Sequence, residues 1–477
     1  MIPVVDIFAG PGGLNEGFSS VQHGSEPFFQ VVSSVEMDER ACDTLRLRSA
    51  LRKSSTSDRF PDSYYDLLDR AELRTPSQSA VDAFLGRPEI ADAYEEARHE
   101  VQHMELGPES RGETDAEISR ALDGAKDWVL IGGPPCQAYS IAGRSRRKND
   151  EDFLKDKKHF LFKEYLHILR EFEPAVFVME NVKGLLSSTH GDIRMIELIL
   201  EDLSLGDRYD IRSFVVHDAT QAPVPSDFVI RSEDYGVPQR RHRVILLGVR
   251  RDRGAIPHRL LSERAEQISV TQAIGDLPVR RSPISGANGD AARTWQTMRE
   301  FGRALVQQPR IPGWRPSGLP VDFREWISPD DAPISLHEAR RHMDMDLARY
   351  SFAANFAAAH GRSPRLADFP KQLIPNHRNV GKKDTPFIDR FKVQQRDEPS
   401  TTIVSHMAKD GHYYIHPDPK QMRSFTVREA ARLQTFPDNY LFRGSRTNQF
   451  QQVGNAVPPL LARQLGEIVR DLILTKP

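Results

Sequence analysis

Six short apolar runs punctuate the first 250 residues, at positions 4–8, 31–36, 128–132, 176–180, 212–217 and 243–249. Each is rich in β-branched residues and bounded by Gly or turn-forming residues, a pattern that predicts buried parallel strands. Between them, residues 40–51, 161–171 and 193–203 place apolar side chains at helical spacing. Strand–helix alternation of this kind predicts an α/β doubly wound sheet. Such sheets bind ligands in the crevice beyond the carboxyl ends of their strands, so chemistry is expected just after each run.

Two segments break the alternation. Residues 52–125 read as helical and acidic, with 9 Lys+Arg against 17 Asp+Glu, and predict a surface insertion. Residues 280–395 lose periodicity, gain turn-rich pieces such as PRIPGWRPSGLP, and carry 19 Lys+Arg against 12 Asp+Glu. They predict a separate small, basic domain rather than a βαβ unit.

Composition changes the picture only modestly. A chain of 477 residues with 39% hydrophobic and 28% charged positions accommodates two or three structural units. Its formal net charge of −2 excludes a uniformly basic nucleic-acid coat but not a local basic patch. The two cysteines, Cys42 and Cys136, form neither a disulfide framework nor zinc-ligand spacing, so no metal is expected. With no signal-like N-terminus and no apolar run approaching ~18 residues, the expectation is a soluble, cytoplasmic protein.

The first run leads directly into Gly10, Gly12 and Gly13, where glycines permit a sharp turn and close backbone approach to a ligand. The spacing is not GxGxxG, which weakens a pyrophosphate reading. The second run ends at Glu36, an acid placed to accept from ribose hydroxyls; together they favour a nucleoside-containing cofactor. After the third run, Pro134 and Pro135 stiffen the chain and block helical continuation ahead of Cys136. That placement suits a thiolate nucleophile. Cys42, on an apparent helix, reads as a small buried hydrophobe.

DIFAGPGG, GGPPCQAYS, MENV (179–182), QRRHR (239–243), RSFTVREAARLQTFPD (423–438) and QVGNAVPP (452–459) resemble, in order, the motifs of the DNA cytosine-5 methyltransferases of bacterial restriction–modification or phage defence. The resemblance is dense over residues 1–50, 126–250 and 396–470 and thin elsewhere. It implies a Rossmann-like S-adenosylmethionine-dependent methyltransferase sheet with a second, smaller target recognition domain. The catalytic domain would span 1–265 (insertion 52–125), the recognition domain 266–425, and the return to the catalytic domain 426–477.

By the same resemblance, Cys136 attacks cytosine C6 and turns the ring into an enamine-like nucleophile for methyl transfer to C5. Glu180 sits at N3 as a protonated or proton-sharing carboxyl, Arg243 donates to O2, and Arg241 holds the nucleophile and backbone. Strand alternation places Arg241 and Arg243 on one face, with Arg240 and His242 on the other. Phe8, Gly10, Gly12, Leu14, Glu36, Pro134, Asn455 and Val457 line the cofactor site. The family's adenine-binding acid is obscured here; Glu105, Asp115 and Asp123 are the candidates. The target base must be flipped out of the duplex. The Arg- and Lys-rich loop after Cys136, with Gln137, Ser140, Arg144, Arg146 and Arg147, would contact the DNA. Thr426, Arg428 and Glu429 are expected to hold the recognition domain against the sheet. The acidic insertion is expected to offer a surface to a protein partner. Two rival readings are a transfer-RNA cytosine methyltransferase on the same sheet and a catalytically silent DNA-binding protein. The long basic 280–395 segment argues against the first, and intact Cys136, Glu180 and Arg243 against the second.

Overall fold

The computed structural model describes residues 1–55, 59–135, 161–187, 189–190, 193–217, 224–254, 259–285, 291–306, 308, 311, 313–315, 317–375 and 390–475. Eight strands build the main sheet: β1 (Ile2–Ile7), β2 (Phe29–Glu36), β3 (Val101–His103), β4 (Val129–Gly132), β5 (Val176–Val182), β6 (Tyr209–Arg212), β7 (Val229–Arg231) and β8 (His242–Arg250). Their order across the sheet is β6-β8-β5-β4-β1-β2-β3, with β7 also paired to β8. β1 to β5 run parallel, whereas β8 is antiparallel to β5, β6 and β7.

Three features differ from the sequence expectation. The 243–249 run is antiparallel, not parallel. The 212–217 run is strand only at its start, because β6 ends at Arg212. There the Ser213 hydroxyl accepts from the N–H groups of Val215 and Val216, at 3.0 and 3.1 Å, and turns the chain out of the ladder. Third, β3 lies inside the segment read as an insertion and pairs with β2 in register, Glu36 opposite His103. Helix α6 (Arg111–Leu122) then crosses back to β4, so the last part of that segment belongs to the sheet layer.

The helices before that segment are α1 (Gly13–Ser19) and α2 (Glu39–Lys53). The inserted part consists of α3 (Asp62–Arg70), α4 (Gln78–Leu85) and α5 (Pro88–Glu100), between α2 and β3. After β4 come α7 (Leu161–Phe172), α8 (Met195–Ser204), α9 (Val270–Ile274), α10 (Ala291–Ala304), α11 (Val321–Ile327), α12 (Asp344–His360), α13 (Val427–Leu433), α14 (Arg446–Asn455) and α15 (Pro459–Leu474).

Alternation along the strands divides the core between the two faces of the sheet. Val4, Val129, Ile131, Val176, Val178, Ile245 and Leu247 pack under α1 and α15, through Phe18, Leu465 and Ile468. Val5, Ile7, Leu130, Phe177, Met179 and Leu246 face α6, α7 and α8. A third cluster joins the inserted helices (Tyr64, Leu68, Phe84) to Trp326, Leu336, Phe436, Tyr440 and Phe450. The apolar side of the insertion is therefore covered by the chain itself. A fourth cluster, around Trp295, Tyr350, Phe352 and Phe391, gathers α10 and α12 into a separate core within the basic segment.

Candidate active site

At the carboxyl edge of β1 the chain turns through Phe8 (φ 56°), Gly10 (φ 56°) and Gly12 (φ 89°) before entering α1. Left-handed conformations come readily only to glycine, and Phe8 is held in one within this tight turn. Gly13 is needed for a different reason. A Cβ there would stand 2.0 Å from the carbonyl oxygen of Val457, so the loop and the C-terminal return touch backbone to backbone. Leu14 and Val457 are buried at this contact, and Asn455, at the end of α14, is exposed beside it. From the end of β2, Glu36 accepts the Gly10 N–H at 2.7 Å and the Asp38 N–H at 2.8 Å, one on each carboxylate oxygen. Each oxygen keeps a lone pair for another donor. Burial raises the Glu36 carboxyl above its ordinary range in spite of those two N–H groups.

Among the three candidate adenine acids, only Glu105 lies at this edge. It follows β3 by two residues and is exposed, while its neighbour Met104 donates its N–H to the Glu36 carbonyl at 2.9 Å. Asp115 is committed to His167, at 2.9 Å, and Asp123 caps α6 at the end that feeds the start of β4.

Sequence reading passed over Asp6. It sits within the apolar β1 run, fully buried, and both its carboxylate oxygens lack a hydrogen-bond partner among the described residues. Burial, followed by the charge of Glu36, raises its carboxyl well above the usual range. An acid inside a strand that otherwise reads as core was the available signal.

The antiparallel run of β8 against β5 brings two distant motifs together. Val182 pairs with Arg243 and Glu180 with Ile245, so the carboxyl end of one strand meets the amino end of the other. Arg243 Nε lies 2.8 Å from Glu180 Oε1, with the side chains 18% and 14% exposed, largely desolvated yet still reachable. The chain toward Cys136 passes directly over this pair. A Cβ on Gly133 would stand 3.0 Å from Glu180 Oε2, and the buried Pro134 accepts from Asn181 Nδ2 at 3.3 Å. Cys136, Gln137, Ser140, Arg144, Arg146 and Arg147 lie outside the described residues. Cys42 is fully buried and its thiol is pushed up to about 12 by burial, as befits a core side chain.

Arg241 falls at the break between the short strand Gln239–Arg240 and β8. It is buried, and its Nη1 donates to the carbonyls of Ile403 (2.9 Å) and Gly454 (3.2 Å). Burial and then the charge of Arg243 push its guanidinium down to about 9. Arg240 and His242 turn away instead, to Glu398 and Glu233.

The FTVREAARLQ stretch makes a buried polar joint. Thr426 caps α13 in a capping box with Glu429, and Glu429 is paired by both Nη atoms of Arg423, at 2.6 and 2.7 Å. Arg428 donates to the carbonyls of Ser335, Pro437 and Tyr440. The joint thus ties the α11–α12 connection to the C-terminal return.

Residues 88–470 match the family described as C-5 cytosine-specific DNA methylase. The type II methyltransferase M.Bpa9945I of Bacillus paralicheniformis is 33% identical over 98% of this chain and 99% of its own length. The type II methyltransferase M1.HphI of Haemophilus parahaemolyticus is 28% identical over 98% of this chain and 86% of its own. A solved structure from E. coli, described as a DNA modification methyltransferase encoded within a prophage, superposes with a TM-score of 0.56 at 18% identity over 100% of both chains, and supports the fold alone. The fold is that of a methyltransferase on a Rossmann-like sheet. The chain belongs to the C-5 cytosine-specific DNA methylase family, and is an enzyme of the DNA (cytosine-5-)-methyltransferase class. No helix among the described residues is long and apolar enough to cross a membrane.

Proposed function

We propose that this protein methylates C5 of a cytosine flipped out of duplex DNA, with S-adenosylmethionine as cofactor. The Glu180–Arg243 pair beneath Gly133 and Pro134 carries the reading. Cytosine C5 is a poor nucleophile, and covalent attack at C6 is what activates it. Cys136 forms the sulfur–C6 bond as its thiolate. After methylation the C5 proton leaves to a base or water, the sulfur–C6 bond breaks, and the C5=C6 double bond and free thiolate are restored. Glu180 holds a proton at N3, and Arg243 donates to O2, where negative charge gathers as the ring electrons move toward C5. Arg241 keeps the surrounding backbone in place through Ile403 and Gly454.

The glycine cradle, the spare lone pairs of Glu36 and the orphaned oxygens of Asp6 fit a nucleoside-containing, cationic cofactor. Phe8, Gly10, Gly12, Leu14, Glu36, Pro134, Asn455 and Val457 would hold it, with Glu105 toward the adenine. When bound, S-adenosylmethionine supplies an electrophilic methyl group. The loop with Gln137, Ser140, Arg144, Arg146 and Arg147 grips phosphates, and residues 266–425 read the target sequence in the major groove. The cellular role is marking of self DNA in the cytoplasm, within restriction–modification or phage defence.

Purified protein incubated with duplex DNA and methyl-labelled S-adenosylmethionine should yield 5-methylcytosine on nuclease digestion. Cys136→Ser should abolish labelling. Labelling by C136S at the wild-type rate would overturn the mechanism, and labelling of transfer RNA in preference to duplex DNA would overturn the substrate.

A further inference from the structure

The loop carrying Gly10 and Gly12 has a support behind it, built from three remote parts of the chain. Tyr440, fully buried, donates its hydroxyl to the carbonyl of Pro11, between the two glycines. That hydroxyl stands 3.2 Å from where a Cβ on Gly12 would be. The Tyr440 ring is stacked in turn: the Arg48 guanidinium lies 4.9 Å from its centre and 4.7 Å from the centre of Phe60, in the insertion. Arg48 and Arg52 both pair with Glu16, in the first turn of α1. Tyr64 of the insertion donates to the Asn439 carbonyl at 2.7 Å, and Arg428 donates to the Tyr440 carbonyl at 3.0 Å.

Why the Pro11 carbonyl needs a partner follows from peptide geometry. The Pro11 C=O and the Gly12 N–H share one planar trans peptide, so pinning one aims the other. Within the loop the Gly12 N–H donates to the Ala9 carbonyl at 3.0 Å, and the Tyr440 hydroxyl holds the opposite side of the same peptide, so both of its polar ends are fixed.

We propose that Tyr440 is a positioning residue for the cofactor loop, its hydroxyl locking the Pro11–Gly12 peptide in the orientation that receives S-adenosylmethionine. Arg48, stacked between that ring and Phe60 of the insertion, sets the ring that carries the hydroxyl. The inserted segment therefore braces the loop through Phe60. This rests on the reading that the crevice holds that cofactor.

The test is Tyr440→Phe, which keeps the ring and its stacking and removes only the hydroxyl. Calorimetry on the full-length protein should show S-adenosylmethionine binding weakened about tenfold, the scale of one hydrogen bond. The KM for cofactor should rise in parallel, while kcat at saturating cofactor and the KM for DNA stay at the wild-type values. Tyr64→Phe deletes a comparable buried hydroxyl bonded to the adjacent residue. It should lower the melting temperature to a similar degree and leave cofactor affinity unchanged. Wild-type cofactor affinity in Y440F, or an equal weakening in Y64F, would overturn the proposal. Failure of the wild-type protein to bind S-adenosylmethionine in the same experiment would instead overturn the cofactor reading.

Discussion

Gly10 and Gly13 lie three residues apart in one loop and respond to substitution for different physical reasons. At Gly10 nothing stands within 4 Å of an added Cβ, but φ is +56°. Gly10→Ala therefore costs only the left-handed strain, about 1–2 kcal/mol. At Gly13 the added carbon meets the Val457 carbonyl, a backbone atom that cannot step aside. Gly13→Ala should be the more destabilising of the two in thermal unfolding and should abolish cofactor binding. Equal melting temperatures for the two variants would count against the backbone contact. Arg241 makes a similar point with charge. Arg241→Met removes an unfavourably buried cation but strips a donor from the carbonyls of Ile403 and Gly454, at roughly 1–3 kcal/mol per orphaned group. Denaturant titration should place R241M below wild type in stability; a variant as stable as wild type would mean that water replaces the guanidinium.

At the scale of elements, the α13 joint concentrates the electrostatic risk. Arg423 and Glu429 are each 1% exposed, and breaking such a buried pair costs on the order of 3–5 kcal/mol. Glu429→Gln should accordingly produce a large drop in unfolding free energy, measurable by urea titration. Three histidines around the same region add a pH dependence. Burial pushes His337 down to about 4, and His342 and His416 to about 3. His337 Nε2 faces the Pro278 carbonyl at 2.7 Å, which requires that nitrogen to carry the proton of a neutral ring. Unfolded histidines titrate near ~6.5, so between there and the folded values the unfolded chain binds more protons than the native one. Stability is therefore fully present above ~6.5 and falls as the pH drops toward 4. A urea midpoint lower at pH 5 than at pH 7.5 is expected. An unchanged midpoint would show that these rings are not held neutral.

For the whole molecule, the charge balance has a spatial meaning. The basic 280–395 segment carries +7 while residues 52–125 carry −8, so a near-neutral chain presents one lobe suited to phosphates and another that repels them. Affinity for duplex DNA should fall steeply between low and physiological salt, as counterion release demands. A flat salt response would overturn that assignment of charges to lobes. The same lobes show where sequence reading reached its limit. The 52–125 acidity and helical spacing were legible, yet β3 was not, because three residues are too few to display a period. Nor could spacing reveal that the inserted helices turn their apolar side onto Trp326, Phe436 and Tyr440, several hundred residues away.

The strand–helix alternation, the glycine turn with Glu36 behind it, and the motif order that defines the family are legible in the residues alone. All of these depend on local periodicity or on residue types at short range. Tertiary structure alone decided that β8 runs against β5, which brings Arg243 to Glu180. It also decided that Glu105 among three acids lies at the strand edge beside Glu36, and that Asp6 and Tyr440 stand where they do. Strand direction and long-range packing depend on which surfaces bury each other, and that choice is made only when the whole chain closes.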